Sequence, residues 1–234
     1  MTSSATSVST ILNSLESHYG PQEPGWPTDP YEFLIWWNCG YPASDAVCSK
    51  GWNSLAAAVG ITPEKLLRAS PAKLAAALKP GGMLPELRAE RVKQVAARVK
   101  DEYGGDLRAA LVGTLPQARK ILKSFHSIGD PGADRILLFA GLAPLAAVPS
   151  NCPHVLVRML RGKEPENYAH TYREAQQAIE AEVAPTLEAR SRAFLLLKRH
   201  GQEVCKRTPQ CDVCPVRSQC AYYTGKDQER SARA

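Results

Sequence analysis

Four cysteines near the C-terminus have the type and spacing expected of a metal site. They are separated by five, two and five residues: Cys205, Cys211, Cys214 and Cys220. Four soft thiolates can hold a [4Fe–4S] cluster, and the two-residue gap lets the middle pair reach neighbouring irons. Pro215 stiffens the loop directly after Cys214. The sequence therefore predicts an iron–sulfur cluster on these four residues.

A structural zinc site is the main alternative. Zinc ribbons usually carry two CxxC pairs separated by a longer stretch, whereas this segment has one pair with a single cysteine on each side. Four unliganded thiols are the third reading. Free cysteines are usually buried among apolar residues, and these lie among charged residues such as Lys206, Arg207 and Asp212.

Composition excludes several classes of protein. The 234 residues carry seven cysteines, and an odd count without an apolar signal region near the N-terminus argues against a disulfide framework. No run of eighteen apolar residues is present, so we expect no membrane association and a cytoplasmic or nucleoid location. The net charge of +6 favours a partner rich in phosphate, although many basic proteins bind none.

The residue pattern is helical almost throughout. Three helix starts combine a capping residue with proline: Asp29-Pro30, Thr62-Pro63 and Ser70-Pro71. Apolar residues recur at helical spacing over 84–103, and further helices are predicted at 115–125, 133–142, 168–183 and 187–200. No alternating run indicates a strand, so the sequence predicts an all-α fold.

A tight turn between two of these helices is a candidate phosphate site. Gly129 permits the turn, and Gly132 and Ala133 expose backbone N–H groups at the start of the next helix. Ile128 is expected to anchor the turn in the core. Four basic residues lie near it in sequence: Arg119, Lys120, Lys123 and Arg135. Taken alone, the turn can also be an ordinary helical connection.

Together, the turn and the cysteines resemble the endonuclease III family of helix-hairpin-helix DNA glycosylases, the HhH-GPD superfamily. The resemblance runs from about Ile11 to Tyr223. Residues 125–138 look like the family hairpin, and 200–205 look like its approach to the first cluster ligand. The family spacing is C-x6-C-x2-C-x5-C, so the first gap here is one residue shorter.

The resemblance implies two helical lobes with a DNA-binding cleft between them. Residues 30–142 would form a six-helix core. Residues 1–29 would join 143–225, the lobe that carries the cluster, and 226–234 would be a polar tail. The implied cluster is structural and supports exposed basic residues, here Lys206, Arg207 and Arg217, that contact phosphates. The alternative is that these residues are only solvated charges.

The resemblance places proline at both of the family's catalytic positions in this chain. Aligning Gly129 with the second hairpin glycine puts the nucleophilic lysine at Pro131 and the supporting aspartate at Pro149, with Pro42 in place of the base-side glutamine. Proline has no nucleophile, so lyase chemistry through a Schiff base is not expected. Losing the aspartate costs roughly 10²–10³ in rate.

Other residues near these positions are candidate substitutes for the missing catalytic groups. Asp134 lies on the helix after the turn, and Cys152 with nearby His154 follows Pro149. Three aromatic residues, Trp36, Trp37 and Tyr41, could stack on an everted base or simply pack in the core.

These observations leave three hypotheses. The first is a divergent, monomeric, hydrolytic glycosylase of base excision repair acting on double-stranded DNA, with a [4Fe–4S] cofactor. The second is an inactive relative that binds DNA or its lesions. The third is a redox or structural iron–sulfur protein without a DNA role.

Overall fold

The protein is described from a computed structural model, which covers residues 6–225. These residues form twelve α-helices, with three short 3-10 helices and no β-strand among them. The predicted all-α class is confirmed. The helices are α1 Val8–Tyr19, α2 Pro30–Asn38, α3 Asp45–Ala58, α4 Pro63–Arg68, α5 Pro71–Leu78, α6 Pro85–Tyr103, α7 Leu107–Ala110, α8 Leu115–Lys123, α9 Asp130–Phe139, α10 His154–Arg161, α11 Tyr168–Glu182 and α12 Leu187–Glu203.

Side-chain caps explain several helix starts. The Asp29 carboxylate accepts hydrogen bonds from the N–H groups of Tyr31 and Glu32 at the start of α2. The hydroxyls of Thr62 and Ser70 accept in the same way at α4 and α5, and proline occupies the first turn of all three helices. Each cap satisfies N–H groups that have no acceptor inside the helix.

The chain divides into two compact units. One is Pro24–Leu142, with α2–α9. Six of its helices have eight residues or more, and α4 and α7 are shorter. Its core includes Leu34, Leu55, Leu74 and Val92, all fully buried. The long helix α6 packs against α2, α4 and α5, and α8 packs against α9.

The other unit joins the N-terminal segment up to Glu23 with the chain from Ala143 onward. It contains α1, α10, α11, α12 and the cysteine segment. Ile11, Val155, Ala175 and Leu196 are buried in its core. The Glu182 carboxylate accepts a hydrogen bond of 2.7 Å from the N–H of Val8, which ties the start of α1 to the end of α11.

Several predicted bounds differ from the structure. Helix α9 begins at Asp130 instead of residue 133, because Pro131 fits a first helical turn, and it ends at Phe139. The helices α1, α3, α7 and α10 were not predicted individually. No helix within 6–225 is long and apolar enough to cross a membrane. The predicted tail, 226–234, lies outside the described residues.

Candidate nucleic-acid interface and cysteine loop

The cysteine loop, residues 205–220, begins where α12 ends. The N–H of Cys205 donates to the carbonyl of His200 at 2.8 Å, so the first cysteine is attached to the last turn of the helix. Short 3-10 turns then place the cysteines at 211, 214 and 220. All four cysteines line one cavity, together with Arg158, His200 and Tyr222 among others. The structure thus brings together the four residues predicted as cluster ligands.

Hydrogen-bond donors face the sulfur atoms of this loop. The backbone of Val216 donates to Cys214, and the backbones of Tyr222 and Tyr223 donate to Cys220. Burial raises the pKa of the Cys205, Cys214 and Cys220 thiols, and it raises the pKa of Cys205 to about 11. As free thiols they therefore hold their protons near pH 7, although the donors around them would stabilise thiolates. Within residues 6–225, no three His, Cys, Asp or Glu side chains are arranged to hold a single metal ion.

Arg158 in α10 braces the start of the loop. Its guanidinium donates to the carbonyl oxygens of Lys206 at 2.8 Å and Arg207 at 3.3 Å. It also pairs with the Glu164 carboxylate at 2.7 Å and approaches the Cys205 sulfur at 4.0 Å. The backbone of this basic turn is therefore held from inside, while the side chains of Lys206 and Arg207 remain exposed.

The hairpin, residues 123–133, connects α8 to α9. Ile128 is buried, and a Cβ built on Gly132 would lie 3.4 Å from Cγ2 of Ile128, an ordinary packing distance. Gly129 caps α9, and its carbonyl accepts the N–H of Ala133 at 2.9 Å. The N–H groups of Asp130 and Gly132 belong to the first turn, where no intrahelical acceptor exists. The hairpin thus offers donors suited to an anion.

The basic residues near the hairpin have different environments. The Lys123 ammonium group forms an exposed ion pair with Asp130. Arg135 is buried: its guanidinium lies 3.8 Å over the Trp26 ring and pairs with Asp45 at 3.2 Å. Arg135 therefore stabilises the core and is not placed to contact a phosphate.

The three aromatic residues proposed to stack on a base also differ in burial and in their contacts. Trp36 is fully buried and its indole N–H donates to the Ser49 hydroxyl. Trp37 stacks on Tyr41, with ring centroids 4.3 Å apart and planes inclined by 22°. Tyr41 is 36% exposed, so it is the most accessible of the three aromatic residues.

An exposed apolar turn was missed by sequence reasoning. Met83 is 84% exposed and Leu84 is 64% exposed. Leu84 has φ of 59°, a left-handed conformation rare for leucine, and it precedes the first residue of α6. The guanidinium of buried Arg88 donates to the Met83 carbonyl at 2.8 Å and holds the turn in place. The signal in the sequence was the break Pro80-Gly81-Gly82 followed by two large apolar residues.

The chain resembles DNA glycosylases in sequence and in structure. A thymine/uracil-DNA glycosylase of Pyrobaculum aerophilum is 25% identical over 169 residues, which cover 71% of this chain and 70% of that protein. A thermostable thymine-DNA glycosylase superposes with a TM-score of 0.71 at 24% identity, covering 93% and 95% of the two chains. A non-covalent endonuclease III–DNA complex gives a TM-score of 0.72 at 18% identity, covering 94% and 97%. The chain has the endonuclease III fold.

The resemblance stated from the sequence is thus confirmed at the level of the fold. Identities of 18–25% make this chain a divergent example of it. No family profile matches the chain.

The two prolines at the positions that the sequence resemblance implies to be catalytic are Pro131 and Pro149. Pro131 lies in the first turn of α9, and Pro149 precedes α10, where its carbonyl accepts the N–H of Cys152. Cys152 is buried so closely against α12 that a Cβ on Gly201 would lie 2.6 Å from its sulfur. His154 bonds through Nε2 with the Cys205 carbonyl.

Asp134, the other residue considered able to replace the missing catalytic groups, forms an ion pair. Its side chain is 3% exposed, and its carboxylate accepts a hydrogen bond from the Arg119 guanidinium at 2.7 Å, so the pair joins α8 to α9. This contact gives Asp134 a structural role in holding the two hairpin helices together.

Proposed function

We propose that this protein is a DNA glycosylase of the base excision repair type that acts on duplex DNA as a monomer. The observation that carries the proposal is the hairpin: on a chain with the endonuclease III fold, it places first-turn N–H groups that have no intrahelical acceptor next to the exposed Lys123 side chain. The similarity to a thymine/uracil-DNA glycosylase, and the DNA bound to endonuclease III in a similar structure, support the same function. The charge of +6 favours phosphate binding.

We also propose a [4Fe–4S] cluster held by Cys205, Cys211, Cys214 and Cys220. A cluster of four irons is larger than one ion, so its ligands surround a cavity instead of converging on a point. The donors directed at the sulfurs fit thiolate ligands. When bound, the cluster supplies folding free energy by linking distant parts of the loop. Arg158 meanwhile keeps Lys206 and Arg207 available to phosphates.

The exposed Met83–Leu84 turn fits the distortion of DNA that base eversion requires. Proteins that kink DNA insert apolar side chains between base steps, which offsets the cost of unstacking. Met83 is the most exposed of the large apolar side chains in residues 6–225 and stands on a turn held by Arg88. We therefore assign the turn to the DNA-facing surface.

The chemistry proposed is hydrolysis. The bond between C1′ of the sugar and the base nitrogen breaks, and its electron pair leaves with the base. Water adds to C1′ and loses a proton. Without a carboxylate at position 149, we expect a rate roughly 10²–10³ lower than in a glycosylase that has one. Without a lysine at position 131, no Schiff base forms there.

A catalytically inactive DNA- or lesion-binding protein is the second candidate. This candidate is favoured because neither residue that could replace the missing catalytic groups is available for catalysis. Asp134 is paired with Arg119, and Cys152 is buried against α12. Both candidates require the same DNA-binding surface, so only a measurement of base release separates them.

Base release from duplexes with oxidised, alkylated or deaminated bases tests the proposal, using the wild type and Pro149→Asp. We expect slow release by the wild type, at least about tenfold faster release by Pro149→Asp, and no borohydride-trapped adduct. Ser150→Asp is the matched control and should leave the rate unchanged. No release by either protein, with salt-sensitive DNA binding retained, supports the inactive candidate. Absence of DNA binding would overturn both candidates.

A further inference from the structure

His200 contacts two of the four cysteines of the loop. Its imidazole Nε2 lies 3.7 Å from the sulfur of Cys214, and its backbone carbonyl accepts the N–H of Cys205. The side chain is fully buried, so water does not compete for its ring nitrogens. Its other ring nitrogen, Nδ1, lies 2.9 Å from the hydroxyl oxygen of Tyr19.

The chemistry of a metal-bound cysteine determines which atom donates in each of the two hydrogen bonds that link Tyr19, His200 and Cys214. A thiolate ligand has no proton and can only accept, so the hydrogen must be on Nε2 of His200. In a neutral imidazole the other nitrogen is then an acceptor. The Tyr19 hydroxyl must therefore donate to Nδ1, and burial raises the pKa of Tyr19 to about 12, which keeps it protonated. The hydroxyl thus selects the tautomer that serves Cys214.

Tyr19 is itself fixed in position. It is the last residue of α1, and its ring packs edge-on against His18 with centroids 4.7 Å apart. The Arg199 guanidinium lies 4.9 Å from the ring centroid, on the turn of α12 that carries His200. Two helices distant in sequence therefore hold the hydroxyl against Nδ1.

We propose that Tyr19 and His200 form a hydrogen-bonded relay that raises the reduction potential of the cluster held by the four cysteines. This inference rests on the cluster assigned under the proposed function. One-electron reduction makes the cluster more negative, and a hydrogen bond to a ligand sulfur stabilises that added charge. No proton transfer and no bond cleavage are required, because the relay acts through its fixed N–H donor.

The experiment is a redox titration of anaerobically purified full-length protein, followed by visible absorption and by the paramagnetic resonance signal of the reduced cluster. Tyr19→Phe removes one oxygen atom and leaves the ring. We expect its midpoint potential to fall below that of the wild type at unchanged iron and sulfide content. Tyr223→Phe is the matched control, because Tyr223 lines the same cavity, and its potential should equal that of the wild type.

The outcomes separate the relay from the cluster. An unchanged potential in iron-replete Tyr19→Phe overturns the relay and leaves the cluster in place. An equal fall in Tyr223→Phe also overturns it, since any loss of a nearby hydroxyl would then suffice. Wild-type protein without iron and sulfide overturns cluster and relay together, while DNA binding and base release remain separately measured. In His200→Gln the side-chain amide can still donate a hydrogen bond. We expect this variant to retain iron and to have a midpoint potential between that of the wild type and that of an iron-replete His200→Leu.

Discussion

The carboxylate of Asp130 lies 2.7 Å from the ammonium group of Lys123, and this ion pair joins the first residue of α9 to the last residue of α8. Both side chains are well exposed. The first turn of a helix is also where backbone N–H groups attract a phosphate. Asp130 therefore offsets positive charge at the place where the hairpin is proposed to bind DNA.

Removing this carboxylate should strengthen DNA binding. Asp130→Asn leaves Lys123 unpaired and keeps a side chain of similar size, so we expect affinity to rise roughly 2- to 5-fold at low salt. Fluorescence anisotropy with a labelled duplex measures the change, which should shrink as salt is added. Glu64→Gln removes the same charge from α4 in the same unit and is the control. An equal gain in both variants would show that only net charge matters.

The hairpin also contains a strained residue. Ser127 has φ of 63°, a left-handed conformation that costs residues with a Cβ about 1–2 kcal/mol. Ser127→Gly relieves this strain but adds freedom to the unfolded chain, so we expect a net gain of about 0.5 kcal/mol. Denaturant unfolding measures it. Ser127→Val should destabilise the protein, and a valine variant as stable as the glycine variant would contradict the assigned conformation.

Features encoded by neighbouring residues could be predicted from the sequence. The starts of α2, α4 and α5 were found because Asp29, Thr62 and Ser70 cap helices that begin with proline, and these caps act over three residues. The grouping of Cys205, Cys211, Cys214 and Cys220 around one cavity could be predicted for the same reason, since their spacing is local. Both signals need no knowledge of the rest of the fold.

Features that depend on distant contacts were missed. In α3, Ser44 makes no side-chain cap, and the helix packs through Gly51, where a Cβ would lie 2.5 Å from the Cys39 carbonyl. Arg158 is 47 residues from Cys205 in sequence, so its position beside the loop appears only after folding. Such contacts have no short sequence pattern, and they position the candidate site.

The brace formed by Arg158 should be sensitive to geometry as well as charge. Lysine cannot contact Glu164 and the carbonyls of Lys206 and Arg207 together, so Arg158→Lys should lower the free energy of unfolding by about 2–3 kcal/mol. DNA affinity should fall as the basic turn loses its fixed backbone. Thermal unfolding and anisotropy measure the two effects. Arg161→Lys, at an exposed position in the same helix, should change stability by less than about 0.5 kcal/mol; comparable losses would refute the brace.

A substitution in the exposed Met83–Leu84 turn should change DNA affinity without changing the stability of the protein. Met83→Ala should leave stability within about 0.5 kcal/mol, because the side chain is largely exposed. Affinity for a duplex with a mismatch or abasic site should fall several-fold, while affinity for an intact duplex changes less, since insertion occurs where stacking is weak. Val112→Ala removes another exposed apolar side chain and should affect neither duplex. Equal losses on both duplexes would argue against insertion by Met83.

Replacing Cys214, one of the proposed cluster ligands, should uncouple the cysteine loop from the rest of its unit. Cys214→Ser removes a thiolate, and we expect loss of most iron and a fall in stability of at least about 3 kcal/mol, because metal binding contributes to folding. Iron per protein and thermal unfolding are the measurements. Cys152→Ser is the control: burying its hydroxyl costs about 1–3 kcal/mol, yet iron should be retained because Cys152 lies outside the loop. Full iron in Cys214→Ser, or equal iron loss in both variants, would rule out Cys214 as a specific ligand.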